Sequence, residues 1–418
     1  MRPFLCVALV AVLTTALSPG SLRARNSAPP QDFEIVESVP DASLYGETGV
    51  RRTQAVWLEM IRGATTRIDI AAFYIADKPG GPLAPVLDAL VERARAGVKV
   101  RILVDQSFLK DNHESVDRFR ALPGFEIRVL PVKTLTGGVL HAKYMVVDMT
   151  DVFVGSQNFD WRALNEIHEI GARVRSRRFA QTFDATFDFD WQLAGDPAAP
   201  RRQNTNTSLA FAPVTASDPE LLHVADDSPL VAFPAFSPAS LMPDWVTAEE
   251  PALVNLIGGA QHRVRIQVMT LSALRGYGEK GWWAPIDTAL RGAAARGVEV
   301  HIIVADWALH EPMQSYLKSL ALMPNITVKF SRVPPSPAGF IPYARVEHAK
   351  YAVVDDRSVY IGTGNWESSY FHTSVDASVF VRGSGPALTM TRIFERDWSG
   401  PYVTTMEAGK SYEEAKNH

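Results

Sequence analysis

The chain has 418 residues, 46% hydrophobic and 21% charged, with a formal charge of −4 at pH 7. That balance fits a globular protein of two or more domains, or one large pseudo-symmetric unit, and excludes a globally basic field for duplex nucleic acid. Cys6 is the only cysteine, so disulfides, thiolate metal sites and a cysteine nucleophile are excluded downstream of it.

Residues 1–24 read as a signal peptide. Arg2 supplies a positive start, Phe4 to Leu17 is apolar, and Ser18-Pro-Gly-Ser21 precedes a cleavage site after Ala24. The apolar run is short for a membrane span. Cys6 begins that run rather than ending it, which argues against a lipid-anchored cysteine. Export without disulfides points to a secreted or periplasmic protein.

The first half is expected over residues 33–195. A helical segment from Thr53 to Ile61 leads to an apolar strand, Arg67 to Ile75. Pro79-Gly-Gly-Pro82 is a turn. A helix from Leu83 to Ala96 and strands at Gly97–Val104 and Phe125–Leu130 follow. A later strand, Ile170 to Val174, precedes a helix from Phe179 to Leu193. Residues 196–243, rich in Pro, Ala, Ser and Asn, read as a linker. The second half, 244–405, repeats the order. It has a helix at Glu249–Gly258, strands at Arg263–Leu271 and Gly297–Val304 around a helix at Leu290–Arg296, and a strand at Asn325–Phe330. Pro334 to Gly339 is a loop, and the strand Ala377–Val381 and a helix near Leu388–Trp398 close the half. Residues 406–418 form a C-terminal tail. Alternating strands and helices imply layered α/β halves.

One stretch recurs. His141-Ala-Lys143-Tyr-Met-Val-Val-Asp148 is followed by Gly155-Ser156-Gln-Asn158. His348-Ala-Lys350-Tyr-Ala-Val-Val-Asp355 is followed by Gly362-Thr363-Gly-Asn365, 207 residues later. Alternation along a strand puts His141 with Lys143, and His348 with Lys350. Asp148 and Asp355 have the opposite parity and read as structural acids that hold a neighbouring loop or a positive group. Glu169 and Asp376 each lie 28 residues after their motif histidine and read as acceptors that fix the imidazole tautomers.

Two imidazoles and two ammoniums suit attack on phosphorus. One neutral imidazole attacks and the other, protonated, donates its proton to the leaving oxygen. Lys143 and Lys350 hold the nonbridging oxygens, with Asn158 and Asn365 as neutral donors and Ser156 and Thr363 as weaker ones. The chemistry calls for no metal and no cofactor. The remaining histidines show no repeated ligand spacing, and no second ligand is placed beside His168.

The paired H-x-K-x-x-x-x-D motifs with G-[ST]-x-N tails resemble the phospholipase D superfamily. Leu135-Thr-Gly-Gly-Val-Leu-His141, Gly155-Ser-Gln-Asn-Phe-Asp-Trp-Arg162 and Tyr360-Ile-Gly-Thr-Gly-Asn-Trp-Glu-Ser-Ser-Tyr-Phe371 are similar to its five-prime exonuclease subgroup. The resemblance implies two pseudo-twofold-related αβα halves with one active site at their interface. It also implies a covalent phosphohistidine, and it supports Glu169 and Asp376 as partners of the histidines. Two substrates compete. Single-stranded nucleic acid would stack on Phe73, Tyr74, Trp161, Trp366, Tyr370 or Phe371. A phospholipid headgroup is the alternative, with Trp282 and Trp283 at the membrane. No stable protein partner is implied, and a homodimer is left open.

Overall fold

A computed structural model describes Met1 and residues 31–196, 209–224, 229–276 and 280–415. Apart from Met1, the expected leader lies outside the described residues, as do parts of 196–243 and 406–418 and part of the loop before Trp282.

The strands Tyr144–Val147 and Lys350–Val354 lie within two separate sheets, and every residue in them is buried. Burial on both faces explains why they read as unbroken apolar runs. In the first sheet Arg67–Ala72, Lys99–Asp105 and Phe125–Leu130 pair in parallel. Parallel neighbours need crossovers, which the helices Ala84–Arg95 and Gln106–Arg120 provide. On the other side of Arg67–Ala72 the pairing turns antiparallel, through Tyr144–Val147, Asp151–Gly155 and Glu169–Arg175 to Phe33–Ser38. The second sheet repeats this order from Ile326–Ser331 to Leu230–Ser237.

Helices cover both faces of each sheet. Trp57 and Leu87 pack under Ile68 and Val100 in the first half, and Leu253 and Leu290 under Ile266 and Val300 in the second. The inner faces share one core, in which Tyr144 and Phe183 meet Phe236, Tyr351 and Phe394. This is the expected two-half α/β architecture.

Residues 196–243 correct the sequence reading. They are not linker throughout, because Glu220–Leu222 and Leu230–Ser237 form the edge of the second sheet. Pro234 hides that strand in the sequence. It is tolerated because the outermost strand pairs only up to Ala232, so no ladder partner requires an N–H from residue 234 on that side.

Candidate active site

Each motif histidine lies just before a buried motif strand, where the two halves touch through main-chain hydrogen bonds. Val375 N donates to Val139 O at 2.9 Å, and Val375 O accepts from His141 N at 2.8 Å. The other crossing repeats the pattern 207 residues on. His168 N donates to Val346 O at 3.2 Å, and His348 N donates to His168 O at 3.0 Å. Gly138 permits the approach, since a Cβ there would lie 2.2 Å from the Thr373 carbonyl oxygen.

The crossings bring the acids to the histidines. His141 Nδ1 lies 2.9 Å from Asp376 Oδ1, and His348 Nδ1 lies 2.8 Å from Glu169 Oε2. Each acid belongs to the half opposite its histidine. With Nδ1 engaged, Nε2 is the nitrogen left for chemistry. Lys143 and Lys350 are fully buried, and each Nζ donates to the main-chain carbonyl of its own motif histidine.

Burial pushes both imidazoles well below the usual histidine value, and the two lysines push the same way. Burial lowers Lys143 well below the ordinary ammonium range and Lys350 to about 7, against the pull of the nearby acids. Burial likewise raises Asp376 to about 7 and Glu169 well above the carboxylate range, against the lysines. The site therefore favours neutral imidazoles at rest, and an incoming phosphodiester anion would favour their protonation.

The other expected residues divide. Asn158 and Asn365 are buried, and their Oδ1 atoms have no hydrogen-bond partner among the described residues. Asn365 Nδ2 donates to Tyr370 Oη at 3.1 Å. Ser156 and Thr363 are a correction to the expected substrate contacts, because their hydroxyls are spent inside the protein. Ser156 Oγ donates to Ile170 O, and Thr363 Oγ1 donates to Asp376 Oδ1 at 2.6 Å. Asp148 accepts from the main-chain N–H groups of Thr65, Thr66 and Arg67, and Asp355 from those of Gln261, His262 and Arg263. These bonds hold Asp148 down to about 2 against burial and also lower Asp355. Each acid pins the turn that leads into the strand paired beside its motif strand, Arg67–Ala72 for Asp148 and Arg263–Val268 for Asp355.

Aromatic rings wall the site. The Phe73 and Tyr370 rings lie 5.0 and 4.8 Å from the His141 ring. Tyr74 adjoins Phe73, and Phe108 packs 4.1 Å from it. Phe108 was not anticipated, and the strand-then-aromatic spacing Val104 to Phe108 is the only signal for it. Trp366 and Phe371, expected to stack bases, are buried in the second-half core. Lys78 stands over the half-buried Trp161 at 4.6 Å. Trp283 is buried and donates to Glu250, while Trp282 is half exposed against Tyr316.

The profile of the family described as "Cardiolipin synthase, PLD-like domain" matches residues 57–191 and 253–398, spanning both motifs. The chain belongs to the phospholipase D superfamily. The rat protein named 5'-3' exonuclease PLD3 is 32% identical over 413 residues, covering 90% of this chain and 81% of its own. The virion nicking-joining enzyme of vaccinia virus (strain Western Reserve) is 31% identical, covering 88% of each chain. Among solved structures, the phosphatidylserine synthase of Haemophilus influenzae shares the fold with a TM-score of 0.60 at 13% identity, over 86% of this chain and 87% of that one. The chain is thus a phosphodiesterase of that superfamily. No helix among its described residues is long and apolar enough to cross a membrane.

Proposed function

We propose that this phosphodiesterase is an exported, metal-independent exonuclease that trims single-stranded nucleic acid from the five-prime end. The observation that carries the chemistry is the crosswise pair of dyads, His141–Asp376 and His348–Glu169, each within 2.9 Å. One imidazole Nε2 forms a bond to phosphorus as the P–O bond to the leaving alcohol breaks. The other, as imidazolium, gives its proton to that alcohol. Left neutral, it then takes a proton from water, whose oxygen bonds phosphorus as the N–P bond breaks. Lys143 and Lys350 offset charge on the nonbridging oxygens, and Asn158 and Asn365 offer neutral contacts. No step calls for a metal.

Two findings support nucleic acid. Phe73, Tyr74, Phe108 and Tyr370 form an aromatic wall beside His141 on which bases can stack. Relatives spanning most of the chain are named 5'-3' exonucleases. The leader-like sequence of residues 1–24 supports export.

The test compares a five-prime-hydroxyl single-stranded oligonucleotide with phosphatidylcholine vesicles in excess EDTA. Stepwise release from the five-prime end is expected. His141→Ala and His348→Ala should each lose about 10³-fold or more, and a trapped phosphoryl adduct should map to one of these two residues. Lipid turnover without oligonucleotide cleavage would reverse the substrate assignment.

A further inference from the structure

A second buried charged cluster lies immediately behind one of the two dyads. His168 is fully buried, with Nδ1 2.7 Å from Glu347 Oε2 and Nε2 3.1 Å from Glu37 Oε1. Both ring nitrogens face carboxylate oxygens, and only an imidazolium has two N–H donors to satisfy them. Tyr45 stacks on the ring at 4.4 Å.

The groups facing His168 come from several elements. Phe33–Ser38 supplies Glu37, which Arg52 also contacts at 2.8 Å. Helix Ser384–Ser399 supplies Arg396 and Asp397. Arg396 shares Glu37 Oε1 with His168 through Nη1 at 3.0 Å. Its Nη2 lies 3.4 Å from His168 Nε2, farther from that nitrogen than the carboxylate oxygen at 3.1 Å. Asp397 lies 3.8 Å from His168 Nδ1. Gln267 donates to both Glu347 and Asp397, and Tyr351 donates to Gln267. The carboxylates Glu37, Glu347 and Asp397 are thus matched by His168, Arg396 and Arg52. Ligand atoms of His168, Glu347 and Asp397 lie within 4.8 Å of one another, as around a metal ion. Here the protein's own cations already occupy that electrostatic role.

The repeat shows what is unusual. At the other crossing, the residues matching Glu347 and His168 are Leu140 and Val375, both buried and apolar. The main-chain bridge is the same, but one crossing is filled with hydrocarbon and the other with an ion pair. Glu347 directly precedes His348, and His168 directly precedes Glu169. The ion pair therefore stands back to back with the His348–Glu169 dyad.

We propose that His168 is a positioning residue for His348: as an imidazolium it neutralises the carboxylate adjoining that histidine and clamps the crossing that sets Glu169 against it. The two half-sites are thereby chemically unequal despite their shared motif. Electrostatics agree. Burial works against the charged ring, yet Glu347 and Asp397 hold His168 up at about 10. Burial also opposes ionisation of Glu37, yet His168 holds it down at about 2.

The proposal rests on the two-histidine site described above, but its first test needs no activity. Nitrogen-15 NMR of histidine-labelled wild-type protein should show both ring nitrogens of His168 protonated from pH 6 to pH 8.5. Loss of a proton within that window would overturn the proposal. The second test reads pH–rate profiles on bis(4-nitrophenyl) phosphate. His168→Gln strands the Glu347 charge, so the limb reporting His348 should move up by about one pH unit while the other limb stays. Its kcat should fall about 10-fold with little change in KM. Glu347→Gln leaves His168 in excess and should move the same limb down. The double variant His168→Val/Glu347→Leu copies the opposite crossing and should restore the limb. Opposite shifts that cancel in the double variant are not produced by simple loss of structure. Superimposable profiles, or both limbs moving together, would sink the idea. Should His168→Gln fail to fold, Glu347→Gln and the double variant still decide.

Discussion

Thr363 illustrates how a buttress can be mistaken for a substrate contact. Its motif position suggested a donor to phosphate, but its hydroxyl orients Asp376, which in turn holds His141. Thr363→Val removes a hydrogen bond to a charged group worth about 1.5–3 kcal/mol, so kcat should fall about 10- to 100-fold while Thr363→Ser stays near wild type. Steady-state kinetics on an oligonucleotide check this. Side-chain identity was legible for His141, Lys143, His348 and Lys350 because the repeat marks them. Hydroxyl direction was not, because alternation along a strand says nothing about the short segments outside it. Phe108→Ala tests the stacking wall. Losing one base platform costs about 1–3 kcal/mol of binding, so KM for the oligonucleotide should rise by about 5- to 150-fold with kcat changed far less.

Among the elements, the motif strands were legible because burial on both faces makes them unbroken runs of Tyr, Met, Val and Ala. The helix Gln106–Arg120 was not, because its sequence is mostly polar and Val116 and Phe119 supply its main buried anchors. The crossings were equally hidden, since hydrogen bonds between distant main chains leave no periodicity. They carry two predictions. Gly138→Val places a Cβ into the Thr373 carbonyl, and such overpacking costs about 1–3 kcal/mol, readable as a lower denaturant midpoint. The His168 cluster gives stability a pH signature. His168 has a folded value raised to about 10 from 6.5, so its contribution is full below 6.5 and is lost as pH rises towards 10. Glu37 has a folded value lowered to about 2 from 4.5, so its contribution is full above 4.5 and is lost as pH falls towards 2. Thermal melts from pH 6.5 to 10 should therefore show a steeper decline in Tm for the wild type than for His168→Val/Glu347→Leu.

Across the whole molecule, the 207-residue offset announced two similar halves, and the sheets bear that out. The offset did not announce that the dyads cross, because pairing within each half would preserve the repeat equally well. The shared core makes the halves interdependent. A fragment ending at residue 196 would lose the second-half cover of Val154, Ile170, Ala172 and Phe183, and such a patch drives association. Expressed alone, it should be insoluble or aggregated by size-exclusion chromatography, and inactive.

The crossing of acids between halves also bears on stoichiometry. Two copies of a nucleophile motif would ordinarily suggest two reactive equivalents per polypeptide. Here each copy is completed by an acid of the other, and under the proposed mechanism both imidazoles serve a single phosphorus atom. A slowly turned-over phosphoryl donor should label the protein to one equivalent per chain, and the unlabelled imidazole should then resist a second dose.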